Sequence, residues 1–169
     1  MIKLYGNPVS NYYNMVKLAL LEKHVAFEEV AAGPSQDTEY KTRSPMGKVP
    51  CIETPRGFLS ETAVILDYLE DTHPNPALLP TDAYARAKTR EIARGLELYV
   101  ELQARRHFGH VFFGAPKSQA AVDEVRPIVE NGLGALRQLS HGQFVAGDQF
   151  SLADIVAYYT FGYAQMALK

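Results

Sequence analysis

Residues 47–71 read GKVPCIETPRGFLSETAVILDYLED. A proline heads one short β-prone run, and an acidic residue between two hydroxyls stands where a helical run begins. A proline at the head of an edge strand leaves its neighbour's amide and carbonyl outside the ladder. If the Val49–Pro50 bond is cis, the chain also turns tightly there. Val49 can then offer its N–H and C=O to an extended peptide, with main-chain hydrogen bonds providing the affinity. The helix start at Glu61–Thr62 offers free N–H groups and a partial positive charge, which suits a carboxylate. The Glu61 carboxylate can hold an ammonium group. Together these groups would fit a small peptide carrying an α-amine and an α-carboxylate. The alternative is that Pro50 only ends an edge and Ser60 only caps.

The elements that would position these groups follow from periodicity. Residues 2–5 (IKLY) and 26–30 (AFEEV) read as strands. Between them, Met15, Val16, Ala19 and Leu20 recur at helical spacing in a helix starting at Asn11. Strand, helix and strand within thirty residues suggest a βαβ unit. Residues 35–43 are a weaker helix or a loop. VPCIE is a third strand, TPRG a turn and FLS the stub of a fourth, close enough to pair as a hairpin. A helix opening at Ser60 or Glu61 and ending near Asp71 follows.

THPNPALLP (72–80) holds three of the ten prolines and reads as a linker. The chain beyond it is expected to be helical. Residues 81–108 form one long amphipathic helix with Ala87, Ile92, Leu96, Tyr99 and Leu102 inward. Residues 118–139 form a second, bent or weakened at Pro127. In the last helix, Ser151 and Asp154 have capping-box spacing, with Phe150 and Ile155 at the staple positions. The expected domains are residues 1–75, a linker at 76–82 and an all-helical domain at 83–169.

These motifs carry a resemblance. SPMGKVPCIE resembles the loop before the cis-proline of the cytosolic glutathione transferases. LSETAVILDYLED resembles their glutathione-binding helix start, and GDQFSLADI the buried cap of their helical domain. The resemblance runs over nearly the whole chain, to a serine-type, theta/zeta-like bacterial member. It implies a thioredoxin-like α/β N-terminal domain, an all-α C-terminal domain, glutathione as co-substrate with no other cofactor, and a homodimer in the cytoplasm. Carried over by position, Val49 would pair with the cysteinyl backbone of glutathione and Pro50 would be the cis residue. Glu61 and Thr62 would hold the γ-glutamyl amine and carboxylate, and Lys48 would approach the glycyl carboxylate.

A free thiol has a pKa of ~8.5 and is mostly protonated near neutrality, so a transferase needs a group that favours the thiolate. Ser10 lies six residues before Val16, the spacing at which serine-type members place their active serine. It is the expected donor to the thiolate, although it is equally a plausible N-cap for the first helix. Asn11, Tyr12 and Tyr5 are its rivals, in that order, and Asn11 is also counted among the glutathione contacts. No cysteine lies in this loop, which argues against disulfide chemistry, and Cys51 reads as a packing residue.

The second-substrate pocket would draw on Tyr12, Tyr99, Gln103, Arg106 and His107. His107 and His110 are spaced i, i+3, but nothing else points to a metal. Family members usually continue past the SLADIVAYYTF helix, so the helical domain is expected to be incomplete here, with Ile155, Tyr158 and Tyr159 on an exposed flank.

The implied activity is conjugation of glutathione to small electrophiles. The alternatives are a non-catalytic binding or assembly module and a glutathione-dependent disulfide reductase or isomerase. Composition limits the rest. A net charge of −2 gives no general attraction to nucleic acid or to a membrane surface. One cysteine precludes an internal disulfide, which reads as a reducing cytosol. No apolar run approaches the ~18 residues of a membrane span, and the N-terminus lacks a signal-peptide pattern.

Overall fold

The computed structural model describes residues 1–168, which divide into two compact units, one ending at Leu78 and one beginning at Leu79. The first unit carries β1 (Ile2–Gly6), α1 (Asn11–Glu22), β2 (Phe27–Ala31), α2 (Thr38–Lys41), β3 (Cys51–Thr54), β4 (Gly57–Ser60) and α3 (Thr62–Thr72). The strands form one sheet in the order β2-β1-β3-β4. β1 and β2 are parallel, joined through α1. β3 runs antiparallel to both β1 and β4.

α1 and α3 touch each other and the sheet, so they share one of its faces. The helical spacing of Met15, Val16, Ala19 and Leu20 puts them in one buried stripe, facing Ile65, Leu66 and Leu69 of α3. Leu4 and Ile52, directly opposite each other across β1 and β3, complete this core. Fully burying each such side chain contributes about 1.5–3 kcal/mol.

A buried charge closes the first unit at the far ends of α1 and α3. The Lys23 side chain is wholly buried, with Nζ 2.5 Å from Glu70 Oε2. Nζ also donates to the carbonyls of His73 and Pro76 at 2.8 and 3.0 Å. Glu70 in turn accepts the Leu78 N–H. The proline-rich segment is therefore strapped down by charge-assisted hydrogen bonds, and it contains a cis Asn75–Pro76 bond.

The second unit carries α4 (Ala83–Leu96), a π-helical turn (Glu97–Glu101), α5 (Leu102–Ala104), a 3₁₀ turn (Arg105–His107), α6 (Phe108–Phe113), α7 (Gln119–Leu139) and α8 (Leu152–Ala167). The single long helix expected over residues 81–108 is thus interrupted twice. Packing explains the first interruption. A Cβ on Gly132 of α7 would lie 2.9 Å from the Tyr99 Cβ and 3.0 Å from its carbonyl oxygen, so α7 presses directly on the widened turn. That turn also carries Glu101 into the interior, where its carboxylate pairs with Arg105 at 2.9 Å. Arg105 lies over the rings of Phe108 and Tyr163, at 5.2 and 5.6 Å from their centroids.

Pro127 lies inside α7 without ending it, and Val122, Val125, Val129 and Leu136 keep their buried stripe across it. α8 is the most buried helix. Its cap accepts more hydrogen bonds than the spacing alone implies. Asp154 accepts from the Ser151 N–H and hydroxyl, both at 2.8 Å, and also from the Val145 N–H at 2.8 Å in the preceding loop. On the expected flank, Ile155 is fully buried and Tyr159 half-buried, while Tyr158 is 71% exposed.

Lys23→Met strands a largely buried carboxylate and should cost about 3–5 kcal/mol in urea unfolding. Removal of the surface Arg43–Glu39 pair should cost at most about 1 kcal/mol. Asp154→Ala removes three accepted hydrogen bonds and should lower stability by at least about 2 kcal/mol, read by the same method.

Candidate functional site

Strand register decides which loops meet. Tyr5 of β1 lies opposite Cys51 of β3, and Cys51 lies opposite Ser60 of β4. The C-terminal end of β1, the N-terminal end of β3 and the C-terminal end of β4 therefore fall at one end of the sheet. Neighbouring strands are ~4.8 Å apart, so the chain leaving β1, the chain entering β3 and the chain entering α3 lie within about 10 Å of one another. Val49–Pro50 directly precede β3, Glu61–Thr62 directly follow β4, and Ser10 ends the short loop that leaves β1.

Ser10 is the N-cap of α1. Its Oγ accepts the Tyr13 N–H at 3.3 Å, and its carbonyl accepts the Asn14 N–H at 3.0 Å. A hydroxyl has two lone pairs and one proton, so capping leaves the proton available to donate. The cap and the donor role are therefore compatible. Asn11 and Tyr12 occupy the first turn of α1 and are half-buried.

Tyr5 is differently engaged. Its phenol donates to Glu53 Oε2 at 2.5 Å, and this hydrogen bond, with burial, pushes its pKa up to about 12. Lys3 lies 3.5 Å from the same carboxylate, and the Arg43 guanidinium sits over the Tyr5 ring. Cys51 is fully buried, and burial pushes its thiol up to about 11, so it stays protonated at neutral pH.

The Val49–Pro50 bond is cis, Pro50 is buried and Val49 half-buried. Among the described residues, neither the N–H nor the C=O of Val49 makes a hydrogen bond. The preceding turn is held from behind. Gly47 has φ +66°, and a Cβ there would lie 2.2 Å from the Ser35 carbonyl oxygen, so only glycine fits. Lys48 is exposed, and its N–H and C=O are taken by Ser44 and Tyr40.

At the third strand end the structure selects the second of the two expected helix starts, Ser60 and Glu61. The N-cap of α3 is Glu61, with φ +70° and no side-chain cap hydrogen bond. A non-glycine residue in this region costs of order 1–3 kcal/mol. The turn leaves the first amides of α3, Thr62 to Val64, without acceptors among the described residues. Glu61 is exposed beside them, and the positive end of the helix dipole points out of the sheet end.

The other candidates lie in the second unit and do not share one environment. Tyr99 is mostly exposed on the π-helical turn. Gln103 donates to the Leu98 carbonyl at 3.3 Å, and Arg106 pairs with Glu124 of α7 at 2.7 Å. His107 is buried, and its Nε2 has no partner. Burial first, then the charges of Arg106, His110 and Lys117, hold its pKa below the usual histidine value. His110 faces the Ala115 carbonyl.

Sequence reasoning passed over Asn7 and Asn14. Asn7 Oδ1 accepts the Val9 N–H, and its Nδ2 donates to the Ala32 carbonyl. Asn14 Nδ2 donates to the Pro8 carbonyl at 2.8 Å. An Asn-Pro pair marks a turn, and that was the one available signal.

Comparison with known proteins bears on the whole chain. Residues 4–77 match the glutathione S-transferase N-terminal domain, and residues 119–169 match the C-terminal domain. A glutathione S-transferase of Pseudomonas putida is 48% identical over 159 residues, covering 92% of this chain and 71% of the relative. A probable maleylacetoacetate isomerase 1 of Drosophila melanogaster is 32% identical over 153 residues, covering 83% of this chain and 59% of the relative. The apo form of human glutathione-S-transferase T1-1 superposes with a TM-score of 0.85 at 23% identity, covering 99% of this chain and 75% of the human one. The fold is therefore a thioredoxin-like α/β domain followed by an all-α domain, and the chain belongs to the glutathione S-transferase family.

Proposed function

We propose that the chain binds glutathione at this end of the sheet and conjugates its thiolate to small electrophiles, with Ser10 stabilising the thiolate. The observation that carries the reading is the unpaired Val49 backbone standing at the same sheet end as the uncapped start of α3 and the Ser10 hydroxyl. Val49 supplies one N–H and one C=O, enough to pair the cysteinyl residue as an added strand. The Thr62 N–H and hydroxyl take the γ-glutamyl carboxylate, and Glu61 takes the ammonium. Pro50 shapes the turn, Asn11 borders the thiol and Lys48 faces the glycyl carboxylate.

With the tripeptide so held, its sulfur lies by the start of α1. The Ser10 proton is donated to S⁻, and the helix N-terminus adds its partial positive charge. The thiol proton leaves to solvent, and the thiolate forms the S–C bond as the leaving group departs with its electron pair. Lowering the thiol pKa raises the reactive fraction at neutral pH without covalent participation by the protein. Tyr12, two residues past Ser10 in the first turn of α1, is the proposed contact for the electrophile. Homodimerisation and a cytoplasmic location are part of the same proposal, on the strength of family membership.

The relatives named as maleylacetoacetate isomerases favour a second reading, glutathione-dependent isomerisation. There the same thiolate would add to a conjugated double bond and leave again, with no net consumption of glutathione. A binding module without turnover is the remaining alternative.

Ser10→Ala distinguishes enzyme from module. It removes a hydrogen bond to a charged sulfur, worth about 1.5–3 kcal/mol, so kcat/KM for an aryl halide should fall about 10- to 100-fold. The rate profile should move to higher pH, while Kd for glutathione by calorimetry stays within about threefold. Unchanged turnover would overturn the role of Ser10. Thr62→Val should do the reverse, weakening glutathione binding about tenfold with little change in the pH of half-maximal rate.

A further inference from the structure

We propose that Asn7 and Asn14 are positioning residues that clamp the loop carrying Ser10, and so set how well its hydroxyl stabilises the bound thiolate. This rests on the reading of Ser10 given above. The loop of residues 7–10 holds a turn but no helix or strand, and it separates the end of β1 from the start of α1. Unsupported, it would place the serine hydroxyl loosely.

The two asparagines hold it from its two flanks in sequence. Asn7 has an acceptor and a donor, and both are used. Oδ1 takes the Val9 N–H at 3.1 Å, closing an Asx turn over Pro8. Nδ2 reaches Ala32, just past the end of β2, at 3.0 Å. The partners are a donor and an acceptor, so they assign the amide orientation without ambiguity. The Asn7 carbonyl then accepts the Ser10 N–H at 3.1 Å.

On the other side, Asn14 grips the loop twice. Its backbone N–H goes to the Ser10 carbonyl at 3.0 Å, and its side chain to the Pro8 carbonyl at 2.8 Å. With the Tyr13 N–H on Ser10 Oγ, the serine is held at its amide, its carbonyl and its hydroxyl oxygen. What remains free is the hydroxyl proton. A hydroxyl whose oxygen already accepts a hydrogen bond is the stronger donor, because the bonds polarise one another. Neither asparagine needs to touch glutathione to act. A donor must be held within a few tenths of an ångström to favour the ionised form selectively.

The test is an ultraviolet titration of the bound glutathione thiolate, run on wild type, Ser10→Ala, Asn7→Ala, Asn14→Ala and the double variant Ser10→Ala/Asn7→Ala. Glutathione affinity is measured alongside by calorimetry. Asn7→Ala and Asn14→Ala should each raise the bound-thiol pKa by part of the Ser10→Ala shift. Turnover at neutral pH should fall about 3- to 10-fold, with Kd for glutathione within about threefold. The double variant should match Ser10→Ala alone, because a clamp has nothing to position once the hydroxyl is gone.

If Asn7→Ala fails to fold, Asn14→Ala carries the same readout, since its side chain makes a single bond to the loop. If Ser10→Ala raises the thiol pKa and the asparagine variants do not, the clamp is refuted and Ser10 keeps its role. If the shifts in the double variant add, the asparagines act independently of Ser10 and the proposal also fails. If Ser10→Ala itself leaves the pKa unchanged, the Ser10 reading falls and takes the clamp with it.

Discussion

The pairing of β3 between β1 and β4 sets every later feature of the proposed glutathione site. Side chains alternate along a strand, so a slip of one residue would turn Ile52 out of the core and Cys51 into the α1–α3 layer. Burial enforces the register, because Leu4 and Ile52 face each other across the pair and both are fully buried. The same register brings the ends of β1 and β4 level with the start of β3. A site drawn from three loops far apart in sequence is thus assembled by a hydrophobic constraint that involves none of the site residues.

At that sheet end, stability and function use the same groups differently. Ser10 satisfies a helix amide and still keeps a proton to give. The start of α3 does the opposite. Glu61 holds a left-handed backbone, and its side chain caps nothing, so the first amides of α3 wait for an acceptor from outside. Leaving such groups open costs folding free energy, and strain of this kind persists only where surrounding structure over-determines it. Here β4 pairing on one side and the buried Ile65, Leu66 and Leu69 on the other supply that determination.

The second unit shows how tertiary packing overrides a helical pattern. Residues 81–108 have the spacing of one amphipathic helix, but of the five positions expected inward only Ile92 and Leu96 are buried, while Ala87, Tyr99 and Leu102 are exposed. The close approach of α7 at Gly132 and the burial of Glu101 against Arg105 go with the widened π-helical turn. A periodicity of apolar residues says nothing about a glycine on another helix, so this interruption could not be read in advance. The same holds for Lys23. Its partners are Glu70 and the carbonyls of His73 and Pro76, about fifty residues away, and no local pattern marks a lysine for burial.

The sequence by itself determined the order of the elements in the first unit, because helix and strand periodicities differ there. It also determined the cap of α8, because Ser151 and Asp154 act within one turn, and the resemblance motifs, because they are contiguous runs. Local chemistry marked Ser10 as a cap, and the resemblance alone made it the expected thiolate donor. Tertiary structure decided what depended on distant partners. Tyr5 was committed to Glu53 and Cys51 raised by burial, the start of α3 was left uncapped, and Asn7 was tied to Ala32. Each of these is a contact between segments that the chain brings together only after the sheet has set their register, and spacing along the chain carries no record of it.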